Sequence, residues 1–192
     1  MYSPTAHIRE GLPINGYAGH SGRFDVIVRS ILASAINEKS CFTGFLGGNT
    51  KRNGTKTLMI FDTLRLRSLS EKSLFIMLYR CFRNKHKCEN IIIEEIDYSF
   101  LINKLRKTGY SLFLLDEKGD DYCRHLREII TGKNAFIMGA HEDIPIETLS
   151  FFEKYSAKIS IGPKSLHTSH VITYLSTVLK RIYNRVTPCP KF

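Results

Sequence analysis

The sequence predicts an α/β protein with a mostly parallel sheet covered by helices on both faces. Three observations carry this. Apolar runs with the period of a strand alternate with runs of helical period along nearly the whole chain. No internal repeat, low-complexity segment or long linker divides it, so residues 1–192 read as one domain. Three strands in the second half, within LFLLDEKGDD, FIMGAHEDIP and ISIGPKSLHTSH, each run from apolar residues into a loop of glycine and polar groups. In open α/β sheets ligands gather at the carboxyl ends of strands, so these loops are expected to wall one pocket.

No strand is read before Gly19. From Ser21 to Ile36, residues Phe24, Ile27, Val28, Ile31, Leu32 and Ala35 share one helical face, with Ser21 as the expected N-cap. CFTGFLG and TLMIFDT then read as strands. Ser68 and Glu71 have capping-box spacing ahead of the apolar stripe Leu74, Phe75, Leu78, Cys81 and Phe82. IIIEEI is a strand and a short helix ends at Gly109. Strand Ser111–Glu117, a helix near 121–130, strand NAFIMGA, a helix near 147–155 and strand AKISIG follow. A final helix carries Val171, Tyr174, Leu175, Val178 and Ile182 on one side.

A hydrophobic fraction of 43% and a charged fraction of 24% exclude a disordered chain. Lysine and arginine number 28 against 18 acidic residues, a net charge of +10 that favours polyanions through counterion release. The basic residues cluster at Lys51-Arg52, at Arg65 and Arg67, and from Arg83 through Lys85 to Lys87. Arg65, Arg67, Arg83, Lys85 and Lys87, together with Arg29, are the candidate contacts for such a polyanion. Five cysteines without CxxC spacing indicate neither a disulfide framework nor a zinc site. Neither a bilayer-spanning apolar run, a lipidation signal nor a signal-peptide core is present. The expected compartment is therefore a reducing cytoplasm, with no membrane partner.

The loops contain neither GxGxxG nor GxxxxGK[ST], which argues against dinucleotide and nucleoside-triphosphate sites. His167 and His170 offer two metal ligands at i, i+3 with no third nearby, so no metal is expected and they are read as supporting the helix start. Glu71 is read as a cap before a general base. Arg23 and Asp25, at the start of the first helix, are the candidate catalytic residues. Asp25 suits the positive helix end, whereas Arg23 there calls for a partner such as Asp25 or a phosphate.

The segments GHSGRFDVIVRSILASAI, SLSEKS, LFLLDEKGDD, AFIMGAHEDIP and ISIGPKSLHTSHVI occur in order between about Gly19 and Leu179. Together they resemble the TrmY family, the archaeal tRNA pseudouridine N1-methyltransferases of the SPOUT class. The resemblance implies a SPOUT-type sheet ending in a deep trefoil knot, with the knot and cofactor region at about 110–192. It implies a homodimer that binds S-adenosylmethionine through backbone groups of three loops and methylates N1 of pseudouridine 54 in the tRNA T loop. The cofactor residues it implies are Leu115, Gly139, Ile161, Gly162, Pro163, Lys164, Ser165, Leu166 and Val171.

The chain departs from that family at several points. Val171 stands where relatives usually have cysteine, and Ala140 replaces the aspartate of a Gly-Asp-His pattern. Leu69, Ser70 and Lys72 differ from the usual residues of the SLSEKS stretch. The alternative readings are a SPOUT methyltransferase on another RNA acceptor, an rRNA pseudouridine or a ribose hydroxyl, and an RNA-binding relative that has lost its cofactor.

Overall fold

The computed structural model describes residues 1–36, 40–49, 56–61, 63, 66, 68–83, 88–162 and 164–186. The elements are β1 (Tyr2–Ser3), α1 (Tyr17–His20), α2 (Phe24–Ser34), β2 (Phe42–Leu46), β3 (Lys56–Ile60), α3 (Glu71–Arg83) and β4 (Ile91–Glu95). They continue with α4 (Tyr98–Lys107), β5 (Tyr110–Asp121), α5 (Leu126–Thr131), β6 (Lys133–Ile137), α6 (Ile146–Tyr155), β7 (Ala157–Ser160) and α7 (Thr168–Val186).

The strands form two sheets where one was expected. In the second half β6-β5-β7 is parallel throughout. In the first half the order is β1-β2-β3-β4, with β1 parallel to β2 and the remaining two pairs antiparallel. The link between β2 and β3 has no room for the crossover helix that a parallel pair requires, so the two strands fold back on each other. β1 escaped the sequence reading because two residues carry no periodicity. It nonetheless joins the sheets: Tyr2 pairs with Phe45 of β2 and bridges in parallel to Gly139, and its N–H donates to the Met138 carbonyl at 2.9 Å.

The main core lies where α2 and α3 pack on the first sheet, around Phe24, Ile27, Ile31, Leu46, Leu58, Leu74 and Phe75. Ile172 of α7 belongs to the same cluster, so α2 lies against the helix that follows the cofactor loop. A second cluster, with Leu112, Leu114, Ile137 and Phe152, seats α4 and α6 on the parallel sheet. Phe113, Ile129, Ile159 and Leu179 form a third on the opposite face of β5. The alternation of Leu112 and Leu114 against Phe113 is that of a strand covered on both sides.

Gly22 is fixed by geometry. Its φ of +59° is left-handed, and a Cβ there would run into the Thr5 carbonyl. Segment 3–7 thus passes directly beneath the start of α2, where Thr5 Oγ1 donates to the Gly22 carbonyl at 3.2 Å.

Two caps differ from expectation. α2 begins at Phe24 with Arg23 at its N-cap position, and Ser21 acts two residues earlier by accepting from the Phe24 N–H at 3.3 Å. The cap of α3 is Ser70, whose Oγ accepts from Ser73 N–H at 3.1 Å. Glu71 therefore opens the helix and forms no box with Ser68.

Cys81 and Cys88 form a disulfide, with Cα atoms 5.6 Å apart, which corrects the expectation that no disulfide would be found. Their spacing follows no motif. Cys123 is an exposed free thiol, and Cys41, also exposed, donates through Sγ to the Phe61 carbonyl at 3.3 Å.

Candidate cofactor site

A cleft opens beside the middle of β5, where its register shifts after Leu115, and at the carboxyl ends of β6 and β7. Leu115, Asp116 and Glu117 form one wall, Met138, Gly139 and Ala140 a second, and residues 159–162 with Lys164, Ser165 and Leu166 a third. Thr168 and Val171 of α7 close the end. Of the cofactor residues expected from sequence, Leu115, Gly139, Ile161, Gly162, Lys164, Ser165, Leu166 and Val171 all meet here. Pro163 lies outside the described residues.

The loops are held by hydrogen bonds that leave the cleft free. Thr168 Oγ1 lies 2.8 Å from the Gly139 carbonyl and 2.7 Å from that of Ala140, so a single hydroxyl ties the second wall to the start of α7. Ser160 Oγ donates to the Gly162 carbonyl at 2.7 Å and accepts from its N–H at 3.2 Å, which fixes the third wall. A Cβ on Gly162 would meet no atom within 4 Å, so the space beside this backbone belongs to the cleft.

The lining suits S-adenosylmethionine. Leu115, Ile161 and Leu166 present apolar walls to an adenine, and loop backbone supplies donors and acceptors for its edge. Lys164 offers a cation for a carboxylate, and Asp116 and Glu117 offer anions for an ammonium or sulfonium. Asp116 is held by Lys158, whose Nζ lies 3.5 Å from its carboxylate and 2.5 Å from that of Glu153. The Glu153 hydrogen bond is the main cause raising the Lys158 pKa; burial opposes it and Asp116 adds to it. Asp116, Glu117, Ser160 and Thr168 were missed from sequence. The DEKGDD loop marked the first two, whereas nothing in the chain order places Thr168 under Gly139.

Arg23, Asp25 and Arg29 also come together. The Arg23 guanidinium donates to Asp25 through Nε at 3.0 Å and a terminal nitrogen at 3.2 Å, and Arg29 binds the same carboxylate. Arg29 reaches Glu71 at 3.7 Å. Burial pushes the Asp25 carboxyl up, but the hydrogen bonds and charges of the two arginines outweigh it and hold the group below the usual carboxylate range. Asp25 is thus an anchored anion, a better holder of arginines than a proton acceptor. Arg23 has φ 62°, a conformation costly for a residue with a side chain, and its side chain is half exposed.

Arg83 is exposed at the end of α3, where a cation also suits the helix dipole. Arg65, Arg67, Lys85 and Lys87, like Lys51 and Arg52, lie outside the described residues. The His167 and His170 rings meet edge to face at 5.6 Å, and the His167 carbonyl accepts from the N–H groups of His170 and Val171. No group of three or more potential metal ligands occurs among the described residues. No helix among them is long and apolar enough to cross a membrane.

Comparison with known proteins places this geometry. A tRNA (pseudouridine(54)-N(1))-methyltransferase of Aeropyrum pernix is 32% identical over 182 residues, 93% of this chain and 91% of that protein. The protein of the same name from Thermococcus onnurineus is 27% identical over 203 residues, 96% and 95% of the two chains. The crystal structure of Archaeoglobus fulgidus Nep1 bound to S-adenosylhomocysteine superposes with a TM-score of 0.60 at 15% identity. The match covers 95% of this chain and 97% of that one, so the two chains share a fold. A family described as "Putative SAM-dependent RNA methyltransferase" matches residues 1–183, and the chain belongs to that family.

Proposed function

We propose that the protein methylates N1 of pseudouridine 54 in tRNA with S-adenosylmethionine as donor. The observation that carries this is the convergence of the three loops on one cleft with open space beside Gly162. The relatives' shared name supports the acceptor. Bound S-adenosylmethionine supplies a methyl group made electrophilic by its sulfonium.

The chain's own residues have three tasks. Gly139 and Gly162 let backbone approach the adenosine, with Leu115, Ile161 and Leu166 against its ring. Lys164 faces the carboxylate end. Arg23 and Arg29, anchored by Asp25, hold the acceptor nucleotide or its phosphate, since alignment of acceptor with donor accounts for much of such a reaction. The pseudouridine leaves its stack to reach the cleft, as base-modifying enzymes require. Arg65, Arg67, Arg83, Lys85 and Lys87 serve the tRNA backbone in this reading, in keeping with the charge of +10. A tRNA substrate supports a cytoplasmic location.

Two structural features complete the proposal. The first is a trefoil knot, supported by β7: Ile159 pairs with Leu115 on one stretch of β5 and with Asp120 on the next. A Cβ on Gly119 would lie 2.6–2.8 Å from Ile159 backbone atoms, so the irregular stretch of β5 between Leu115 and Asp120 passes tightly over β7. An experimental chain trace in which β7 does not pass through that stretch would refute the knot. The second is a homodimer, supported by Tyr174 of α7 and Leu166, which remain 41% and 48% exposed. Sedimentation as a monomer at micromolar concentration would remove this part.

The whole reading is tested with labelled methyl groups. Incubated with tritiated S-adenosylmethionine, the protein should label tRNA that carries pseudouridine at the T-loop position and leave the uridine form unlabelled. Arg23→Ala should lower the rate by about tenfold or more, the scale expected when a positioning contact is lost, with a smaller change in tRNA affinity. Equal labelling of both tRNAs would rule out pseudouridine as the acceptor.

A further inference from the structure

N1 of pseudouridine carries a proton that must leave when the methyl arrives, and Asp25 is poorly suited to take it. We infer that His141 is the general base, accepting that proton at Nδ1; this rests on the N1-methylation reading above.

His141 sits between the two halves of the site. Its neighbours Gly139 and Ala140 line the cofactor cleft and are pinned by Thr168. On the other side its Nε2 lies 3.4 Å from Thr5 Oγ1, and Thr5 Oγ1 donates to the carbonyl of Gly22, the residue before Arg23. One short chain of contacts therefore runs from the cleft through His141 to the arginine proposed to hold the acceptor.

The ring is oriented for the task. Thr5 Oγ1 uses its one proton on the Gly22 carbonyl and so accepts from Nε2 at 3.4 Å, which places the ring proton on Nε2, with Glu142 Oε1 3.3 Å from that nitrogen. Nδ1 is then the lone-pair nitrogen, with no hydrogen-bond partner among the described residues. The side chain is 20% exposed, sheltered yet reachable. Glu142 is placed to stabilise the imidazolium, as a carboxylate does for a catalytic histidine elsewhere. The other titratable groups nearby are His7, whose Nδ1 is 3.2 Å from the Thr5 carbonyl and whose Nε2 is 3.0 Å from that of His20, and the Arg23–Asp25 pair beyond Gly22.

The step balances. The N1–H bond breaks and its proton passes to Nδ1. The electron pair left on N1 forms the bond to the methyl carbon, and the carbon–sulfur bond breaks with its electrons remaining on sulfur. The sulfonium charge disappears as the imidazolium charge appears beside Glu142, and the proton is later lost to water.

The test uses the full chain, saturating S-adenosylmethionine and pseudouridine-bearing tRNA. His141→Ala and His141→Gln should each lower the single-turnover rate by about a hundredfold or more, the usual contribution of a positioned base. Dissociation constants for S-adenosylmethionine and tRNA should stay within about threefold of the wild-type values, because His141 is not among the residues that line the cofactor cleft. Added imidazole should restore much of the lost rate to His141→Ala, whose cavity admits it, and little to His141→Gln. A near wild-type rate in either variant, a loss of S-adenosylmethionine affinity equal to the loss of rate, or an alanine variant that imidazole leaves unrecovered would overturn the assignment. A wild-type protein that transfers no methyl would instead overturn the functional reading, and this proposal with it.

Discussion

Gly162→Val should fold like the wild-type protein and lose its response to S-adenosylmethionine. A Cβ at this position meets no protein atom within 4 Å and the backbone φ is not left-handed, so the substitution strains nothing in the apo chain. The isopropyl group would instead stand in the cleft that Gly162 lines. For the wild type, cofactor at about a hundred times its dissociation constant adds about 2.7 kcal/mol of stability. For a chain of this size that raises Tm by roughly 5–10 °C. Differential scanning fluorimetry should show that rise in the wild type and none in the variant, with apo Tm values nearly equal. A variant that keeps the full shift would move the cofactor out of this cleft.

Asp25→Asn should be the most damaging conservative change in the arginine cluster. Asp25 is 4% exposed and its carboxylate holds both Arg23 and Arg29. Removing its charge leaves two cations facing each other at the start of α2, a loss of about 1–2 kcal/mol, less than for a fully buried pair because both arginines are about half exposed. That corresponds to a Tm lower by roughly 3–6 °C at neutral pH. The pH dependence has a definite sign. The folded-state pKa of Asp25 is depressed, so its contribution is present above the unfolded carboxylate value and disappears as pH falls through the folded one. Thermal melts from neutral to acid pH should show the gap between wild type and Asp25→Asn closing. A gap that stays constant would mean that Asp25 contributes by shape alone.

The second half of the fold was legible because its strands are separated by helices and end in loops of shared character. That regularity led directly to the cleft around Gly139 and Gly162. The first half was less legible for identifiable reasons. β1 is too short to show a period and is defined only by its partners, Phe45 and Gly139. β2 and β3 read correctly as strands, yet their direction depends on the length of the link between them. The α3 cap moved from Ser68 to Ser70 because both serines fit the rule and only packing chooses between them. The Cys81–Cys88 bond and the Thr168 contact to Gly139 join residues whose proximity no local pattern records. His141 was passed over for the same reason: its significance comes from Thr5, which lies 136 residues earlier in the chain.

The central claim is the identity of the product. tRNA bearing pseudouridine at position 54 should be incubated with the protein and S-adenosylmethionine, digested to nucleosides and separated by chromatography with mass detection. The expected product is a pseudouridine heavier by one methyl, with the added mass on the base-bearing fragments left by cleavage across the ribose ring, since the carbon–carbon glycosidic bond stays intact. A methyl group on a ribose oxygen, or no methylated nucleoside from a protein that binds S-adenosylmethionine, would contradict this.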